Sequence, residues 1–292
     1  MPHTLLFNPS AARGRARKLL ATTLAALADG GIEPRLVTTE SIEHGRREAR
    51  EAAARGERVL VMSGDGLIGQ VGGELAGSGA VMGIVPGGRG NDFARVLGIP
   101  ADVEEAAGII AAGQTRSVDV GEINGARFLG IASCGFDSDA NRIANESRVP
   151  GPLVYAYAAL KALAAWKPAH FTLTFDGEAI GFTGYTIAAA NSKAYGGGMF
   201  IAPDAELDDG LLDVVTIADV SKAKFLRGLP AVFKGEHVRK PEVEVRRCTA
   251  LRIVADRPFT VFADGDPIAE LPADVGVLPA ALEVIVPPGG AP

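Results

Sequence analysis

Val59-Leu60-Val61-Met62-Ser63-Gly64-Asp65-Gly66-Leu67 opens a stretch whose design recurs a little further on, as Val81-Met82-Gly83-Ile84-Val85-Pro86-Gly87-Gly88-Arg89-Gly90-Asn91-Asp92-Phe93. Each copy reads as an apolar strand, a glycine loop carrying an acid, and a helix start. Glycine lets the backbone turn sharply and approach a ligand closely. Free N–H groups at a helix start suit an anion, above all phosphate. Asp65 and Asp92 place negative charge beside the same spot, which makes sense when Mg²⁺ sits between carboxylate and phosphate. The stretch therefore predicts a Mg-nucleotide site at the C-terminal edge of a parallel sheet. Arg89 is either a bidentate phosphate holder or a solvated loop charge.

Working outward, Thr4–Phe7 reads as a strand ended by Asn8-Pro9-Ser10, and a helix follows from Gly14 to Ala28. Arg35–Thr38 is a strand, Thr39 taken alone is a helix cap, and His44–Arg55 is a charged surface helix. A helix over Asp102–Ala112 and a strand over Thr115–Val120 complete an alternation typical of a parallel α/β layer. Past residue 122 the texture changes. Asn124-Gly125 is a hairpin turn. Helical runs over Ser138–Asn145 and Leu153–Ala165 give way to short strands from Phe171 to Ala263, broken by one helix near Ser221–Phe233. Such spacing predicts an antiparallel, sandwich-like second domain.

The chain has 292 residues, 47% hydrophobic, room for one large or two medium domains. A net charge of −6 argues against nucleic acid as the main partner. Cys134 and Cys248 lie far apart without metal spacing, as expected of reduced thiols in the cytosol. No signal peptide and no membrane span is visible. Asp176-Gly177-Glu178 reads as a plain hairpin turn, and Asp264-Gly265-Asp266-Pro267 also looks like a turn. The acidic loop Ala202–Asp213 is either a solvated turn or a source of carboxylate and carbonyl oxygens for Mg²⁺ or Ca²⁺. Arg13, Arg15, Arg17 and Lys18 read as a solvated helix face, with a phosphate or anionic-lipid contact as the alternative, and His237 as a surface or loop-stabilising histidine.

With these motifs the chain resembles the diacylglycerol kinase catalytic domain family, which includes bacterial lipid kinases and sphingosine kinases. The family's Gly-Gly-Asp-Gly-Thr loop, followed by Asn-Glu, stands here as Ser63-Gly64-Asp65-Gly66-Leu67-Ile68-Gly69-Gln70. Its Gly-Thr-Gly-Asn-Asp-Phe loop matches at Gly90-Asn91-Asp92-Phe93, with Arg89 in place of Thr. The resemblance implies a nucleotide-binding α/β domain with a parallel sheet, similar to NAD kinase and diacylglycerol kinase, over 1–122. It implies a β-rich, mainly antiparallel sandwich over 123–281 for the lipid, with 282–292 returning to the first domain. It implies ATP and Mg²⁺ as cofactors, and nucleotide contacts at Asn8, Pro9, Ser10, Thr39, Gly64, Asp65, Gly66, Leu67, Gln70, Arg89, Asn91 and Asp92. By alignment from the C-terminus Asp266 takes the place of the family's Glu as general base, and Asp264 orients it or supports the metal. Asp65 completes the implied catalytic set. Glu206 and Leu211 through carbonyls and Asp209 through its side chain match a structural metal site. The implied reaction is attack of a lipid hydroxyl, most simply that of diacylglycerol, on the γ-phosphate of ATP. The enzyme would be cytoplasmic and peripheral at the inner membrane surface, and similar proteins are often homodimers. A sphingoid-base kinase, an NAD kinase-like enzyme with a soluble acceptor, and a non-catalytic nucleotide- or lipid-binding protein are the alternatives.

Overall fold

Apolar runs without polar alternation need cover on both faces, and the first half of the chain supplies it. The computed structural model describes residues 1–147 and 153–289. β1 (His3–Phe7), β2 (Arg35–Thr38), β3 (Arg58–Ser63) and β4 (Val81–Pro86) pair in parallel in the order β2-β1-β3-β4. Helices α1 (Arg15–Asp29), α2 (Ile42–Ala54), α3 (Asp65–Leu75), α4 (Asp92–Val96) and α5 (Val103–Ala112) pack around them. Alternate strand residues serve the two faces. Leu6, Val59, Val61 and Ile84 join the buried residues of α2 and α3, while Leu5, Leu60, Met62 and Val85 join those of α1 and α5. Ser41, not Thr39, caps α2: its Oγ accepts from His44 N at 3.0 Å. Thr39 instead donates its hydroxyl to Phe7 O at 3.1 Å, tying the end of β2 to β1.

β5 (Thr115–Ile123), β6 (Ala126–Phe128) and β7 (Ile131–Gly135) lead into α6 (Phe136–Glu146) and α7 (Leu153–Ala165). Then follow β8 (Ala169–Phe175), β9 (Glu178–Ala190), β10 (Leu212–Ala218), α8 (Lys222–Val232), β11 (Val243–Cys248), β12 (Ala250–Ala255), β13 (Thr260–Ala263), β14 (Asp266–Glu270) and β15 (Ala273–Ile285). The ladder β12-β8-β9-β7-β13-β14 is antiparallel throughout, and β9 also pairs with β10, which pairs with β11. Its core is aromatic. Tyr185 stacks on Phe225 with centroids 4.1 Å apart, and Phe136 meets Trp166 edge-on. The fold class is thus an α/β domain with parallel strands followed by a β-sandwich-like domain.

β15 joins the two parts. Ala273 to Gly276 of β15 pair antiparallel with Ile253 to Ala250 of β12, while Glu283 and Val284 pair in parallel with Val81 and Met82 of β4. β5 runs antiparallel beside both halves of β15, with a register break between Leu278 and Leu282. At that break the Ala280 N–H, freed from the ladder, donates to Asp119 Oδ1 at 2.7 Å.

Three two-residue hairpin turns share one chemistry. Asn124-Gly125, Asp176-Gly177 and Asp264-Gly265 all have positive φ at both positions, the geometry that matches strand twist. The Asp176 carboxylate accepts from Thr249 N, Thr249 Oγ1 and Ala250 N, so it is spent on local structure. Asp264 belongs to a different setting.

Candidate functional site

The parallel strands β1, β3 and β4 end at one edge, and their loops touch there. Asn8 follows β1; its Oδ1 accepts from Ser10 N at 2.9 Å and its Nδ2 donates to Ser63 Oγ at 3.3 Å. Pro9 is half-buried and Ser10 exposed beside it. Gly64 and Gly88 lie backbone to backbone, since a Cβ on Gly88 would collide with Gly64 Cα. Asn91, at φ 52, closes the second loop by accepting from Gly88 N at 2.8 Å through Oδ1. Leu67 is buried and packs toward α2, where a Cβ on Gly45 would lie 2.7 Å from its Cδ1. Leu67 therefore offers a ligand its backbone only. Gln70 is half-buried on α3, and Arg89 is exposed without an ion pair among the described residues.

Asp65 and Asp92 converge. A Cβ on Gly90 would lie 2.8 Å from Asp65 Oδ2 and 3.2 Å from Asp92 Oδ2. Burial, and then the Asp92 charge, raise the Asp65 pKa, against the pull of backbone amides that include Phe93 N at 3.4 Å. Two converging carboxylates with one pushed up fit a divalent cation between or beside them. Asp92 has further partners that the sequence did not announce. Arg95 pairs with its Oδ1, and Gly197 N donates to its Oδ2 at 2.7 Å. Gly197 comes from the glycine-rich connection after β9, so this carboxylate bridges the two parts of the chain.

The Asp264 turn reaches the same place from the other domain. Asp264, at φ 53, accepts from Leu129 N and Gly130 N, each at 2.9 Å. Burial pushes its pKa up to about 6, opposed by those two amides. A Cβ on Gly69 of α3 would lie 2.6 Å from Asp264 Oδ2, so glycine is what lets the turn seat against the helix. Two residues on, Asp266 Oδ2 lies 3.3 Å from where a Cβ on Gly66 would sit. The Asp266 carboxyl has no hydrogen bond among the described residues, and burial raises its pKa. Asp65, from the first domain, and Asp264 and Asp266, some two hundred residues later, thus meet on α3.

Behind the turn stands a chain of buried polar residues that sequence reasoning missed. Asn191 Nδ2 donates to Leu129 O and to Asp119 O, each at 2.9 Å. Asp119 Oδ2 accepts from Gly210 N at 2.7 Å in the acidic loop. The available signal was an acid inside an apolar strand, Val118-Asp119-Val120. In the loop itself Glu206 is exposed, and Asp209 Oδ1 accepts from Leu211 N at 3.0 Å. Asp209 Oδ2 and Asp213 Oδ2 are buried without a hydrogen-bond partner, with Arg247 only 3.6 Å from the first. Orphaned carboxylate oxygens suit a cation that takes oxygen ligands. His237 is buried at 2% exposure and held to Ile201 O at 3.0 Å, with burial lowering its pKa; it braces the preceding loop.

An α/β layer bearing two glycine-acid loops, faced by a sandwich that supplies a carboxyl pair, is the architecture of a two-domain kinase. Comparisons with known proteins carry this to a family. The Diacylglycerol kinase catalytic domain description matches residues 2–123, and the YegS C-terminal NAD kinase beta sandwich-like domain matches 130–286. A Diacylglycerol kinase of Mycobacterium tuberculosis is 36% identical over 296 residues, covering 98% of this chain and 96% of the relative. One of Bacillus subtilis is 26% identical, covering 97% and 95%. The crystal structure of a diacylglycerol kinase from Bacillus anthracis superposes with a TM-score of 0.76 at 21% identity, over 99% of this chain and 98% of that one. The chain belongs to the diacylglycerol kinase family, and it is a lipid kinase.

Proposed function

We propose that this lipid kinase transfers the γ-phosphoryl group of ATP to the free hydroxyl of diacylglycerol. The observation that carries the reading is the Asp266 carboxyl, half-buried, without a hydrogen bond among the described residues, and beside Gly66 on the Asp65 loop. A raised pKa makes it a better proton acceptor at neutral pH, beside the Asp65 loop. ATP would supply the phosphoryl group and Mg²⁺ would neutralise its charge. On this reading the Gly64–Leu67 backbone and Asn91 hold phosphates, with Asn8, Pro9, Ser10, Thr39, Gln70 and Arg89 around the rest of the nucleotide. Asp65 faces the metal, and Asp92, already tied to Arg95 and Gly197, orients the loop beside it. Asp264 fixes the turn through its two amide bonds, and Asp266 takes the hydroxyl proton. Phosphoryl transfer asks mainly for such positioning and charge neutralisation.

The division at residue 122, with 282–292 counted to the first domain, belongs to the same proposal; the pairing of Glu283 and Val284 with β4 supports it. Glu206, Asp209 and Leu211 are proposed to hold a structural cation, supported by the orphaned Asp209 oxygen. No helix among the described residues is long and apolar enough to cross a membrane. The acceptor, a bilayer lipid on this reading, is proposed to be met at the inner membrane surface from the cytoplasm.

The test is transfer of label from ATP, with Mg²⁺, to diacylglycerol, sphingosine, ceramide and monoacylglycerol in micelles, with NAD as soluble control. Labelled phosphatidic acid is expected. Asp266→Ala should lower the rate by about 10²–10⁴-fold, and Asp266→Glu should keep some turnover. Asp65→Asn should remove catalysis with the fold intact. Label on another acceptor alone would overturn the substrate, and normal turnover by Asp266→Ala would overturn the base.

A further inference from the structure

Helix α8 has two apolar faces where one would do. Phe225 and Val232 point inward and are buried, Phe225 against Tyr185. On the opposite side Ala223, Leu226, Pro230 and Phe233 recur at helical spacing, and every one is exposed, Leu226 at 42% and Phe233 at 54%. A second, outward apolar stripe on a surface helix has no role in the core.

Charge singles out the same segment. From 222 to 240 the chain carries Lys222, Lys224, Arg227, Lys234, Arg239 and Lys240 against Glu236, and of these only Lys224 is ion-paired among the described residues, with Glu242 at 3.0 Å, although the whole chain is at −6. Helix α7 continues the patch. Lys222 Nζ donates to Ala164 O at 2.7 Å, and α7 exposes Leu160 and Tyr157 beside Lys161. The far end of α8 borders the site, since Phe200 N donates to Val232 O at 3.0 Å, three residues after the Gly197 that holds Asp92.

We infer that the outward face of α8, flanked by the end of α7, docks the enzyme on an anionic lipid bilayer. Leu226 and Phe233 enter the headgroup–acyl boundary while the flanking cations meet acidic headgroups, as amphipathic basic helices do. A second copy of the chain is a poor occupant, because the same cations would face each other. The inference rests on the reading above that the acceptor comes from a bilayer, and it adds which surface brings the cleft to it.

The experiment is co-sedimentation with vesicles of phosphatidylcholine alone and of phosphatidylcholine and phosphatidylglycerol in equal parts. In parallel, phosphorylation of a short-chain diacylglycerol in neutral detergent micelles is measured. The wild type should sediment with the acidic vesicles, less so as salt rises. Arg227→Gln with Lys234→Gln should weaken partitioning about 30-fold, from roughly 1 kcal/mol per cation near an acidic surface. Leu226→Ser with Phe233→Ser should weaken it on both vesicle types. All variants should keep the micellar rate, which also reports that they fold. Equal partitioning by wild type and both variants would overturn the inference. So would a wild type that ignores vesicles but forms a dimer dissolved by the Phe233 change, or one that requires an acidic protein instead. Vesicle binding that follows the pattern, without phosphorylation of any lipid, would uphold the docking face and overturn the kinase reaction proposed above.

Discussion

Gly69→Ala reverses the usual sign of a helix substitution. In a helix interior this change normally stabilises by about 1 kcal/mol. Gly108 in α5 is the control: it is exposed and a Cβ there would meet nothing within 4 Å, so Gly108→Ala should gain about that much. At Gly69 the new Cβ would lie 2.6 Å from Asp264 Oδ2, 3.1 Å from its Cβ and 3.2 Å from its Cγ. Three atoms of one side chain are met, so turning the carboxyl tip gives no relief. Asp264 would have to leave the Leu129 and Gly130 amides, a loss of about 3 kcal/mol if relaxation recovers part of two charge-assisted bonds. Less about 1 kcal/mol of helix propensity, Gly69→Ala should be about 2 kcal/mol less stable than wild type and about 3 below Gly108→Ala. Its rate should fall further than its stability, on the order of 100-fold, because Asp266 moves with the turn. Urea unfolding and initial rates of lipid phosphorylation on the folded protein measure the two effects. A Gly69→Ala protein that is stabilised like Gly108→Ala, at full rate, would refute the reasoning.

Burial pushes Asp137 up to about 6, so the folded state binds its proton more tightly than the unfolded chain. Its contribution to stability therefore falls as pH rises from about 4 to about 6; Asp137→Asn should gain on wild type by about 2 kcal/mol between pH 4.5 and 7.5, and a pH-independent difference in urea midpoints would contradict this. Millimolar Mg²⁺ or Ca²⁺ should raise the thermal midpoint of the wild type, by about 2.7 kcal/mol of stability at a hundred times Kd, and not that of Asp209→Ala; an equal shift in both would place the cation elsewhere.

The α/β layer was legible because its strands are unbroken apolar runs ended by glycine loops. The β-sandwich was legible because Asn-Gly and Asp-Gly turns punctuate short strands. Composition alone could not tell the turn at Asp264 from those at Asn124 and Asp176, because all three solve the same local problem of strand twist. Only tertiary placement against Gly66, Gly69 and the 129–130 backbone separates them; the family resemblance singled out the Asp264 turn but not what it touches. Thr39 shows the converse: its cap chemistry is real, but Ser41 lies better placed for α2. The bonds of Asp92 to Gly197, of Asp119 to Gly210 and of Asn191 to Asp119 were out of reach, since each joins residues far apart in the chain and leaves no local pattern. Gly69 stands where the family has Asn, and its meaning emerged only from the carboxyl that fills the space beside it.

The shared strand β15 also dictates an order of assembly. β4 pairs with β3 early, but residues 81 and 82 find a neighbour on their other side only when residues 283 and 284 have been made, so the parallel sheet stays open along that edge of β4 through most of synthesis. Pairings that span so much chain are slow to form and leave an apolar edge exposed meanwhile. The early half should therefore depend on its late half for solubility, and truncation within β15 should send the nascent chain to aggregation rather than to a working nucleotide domain.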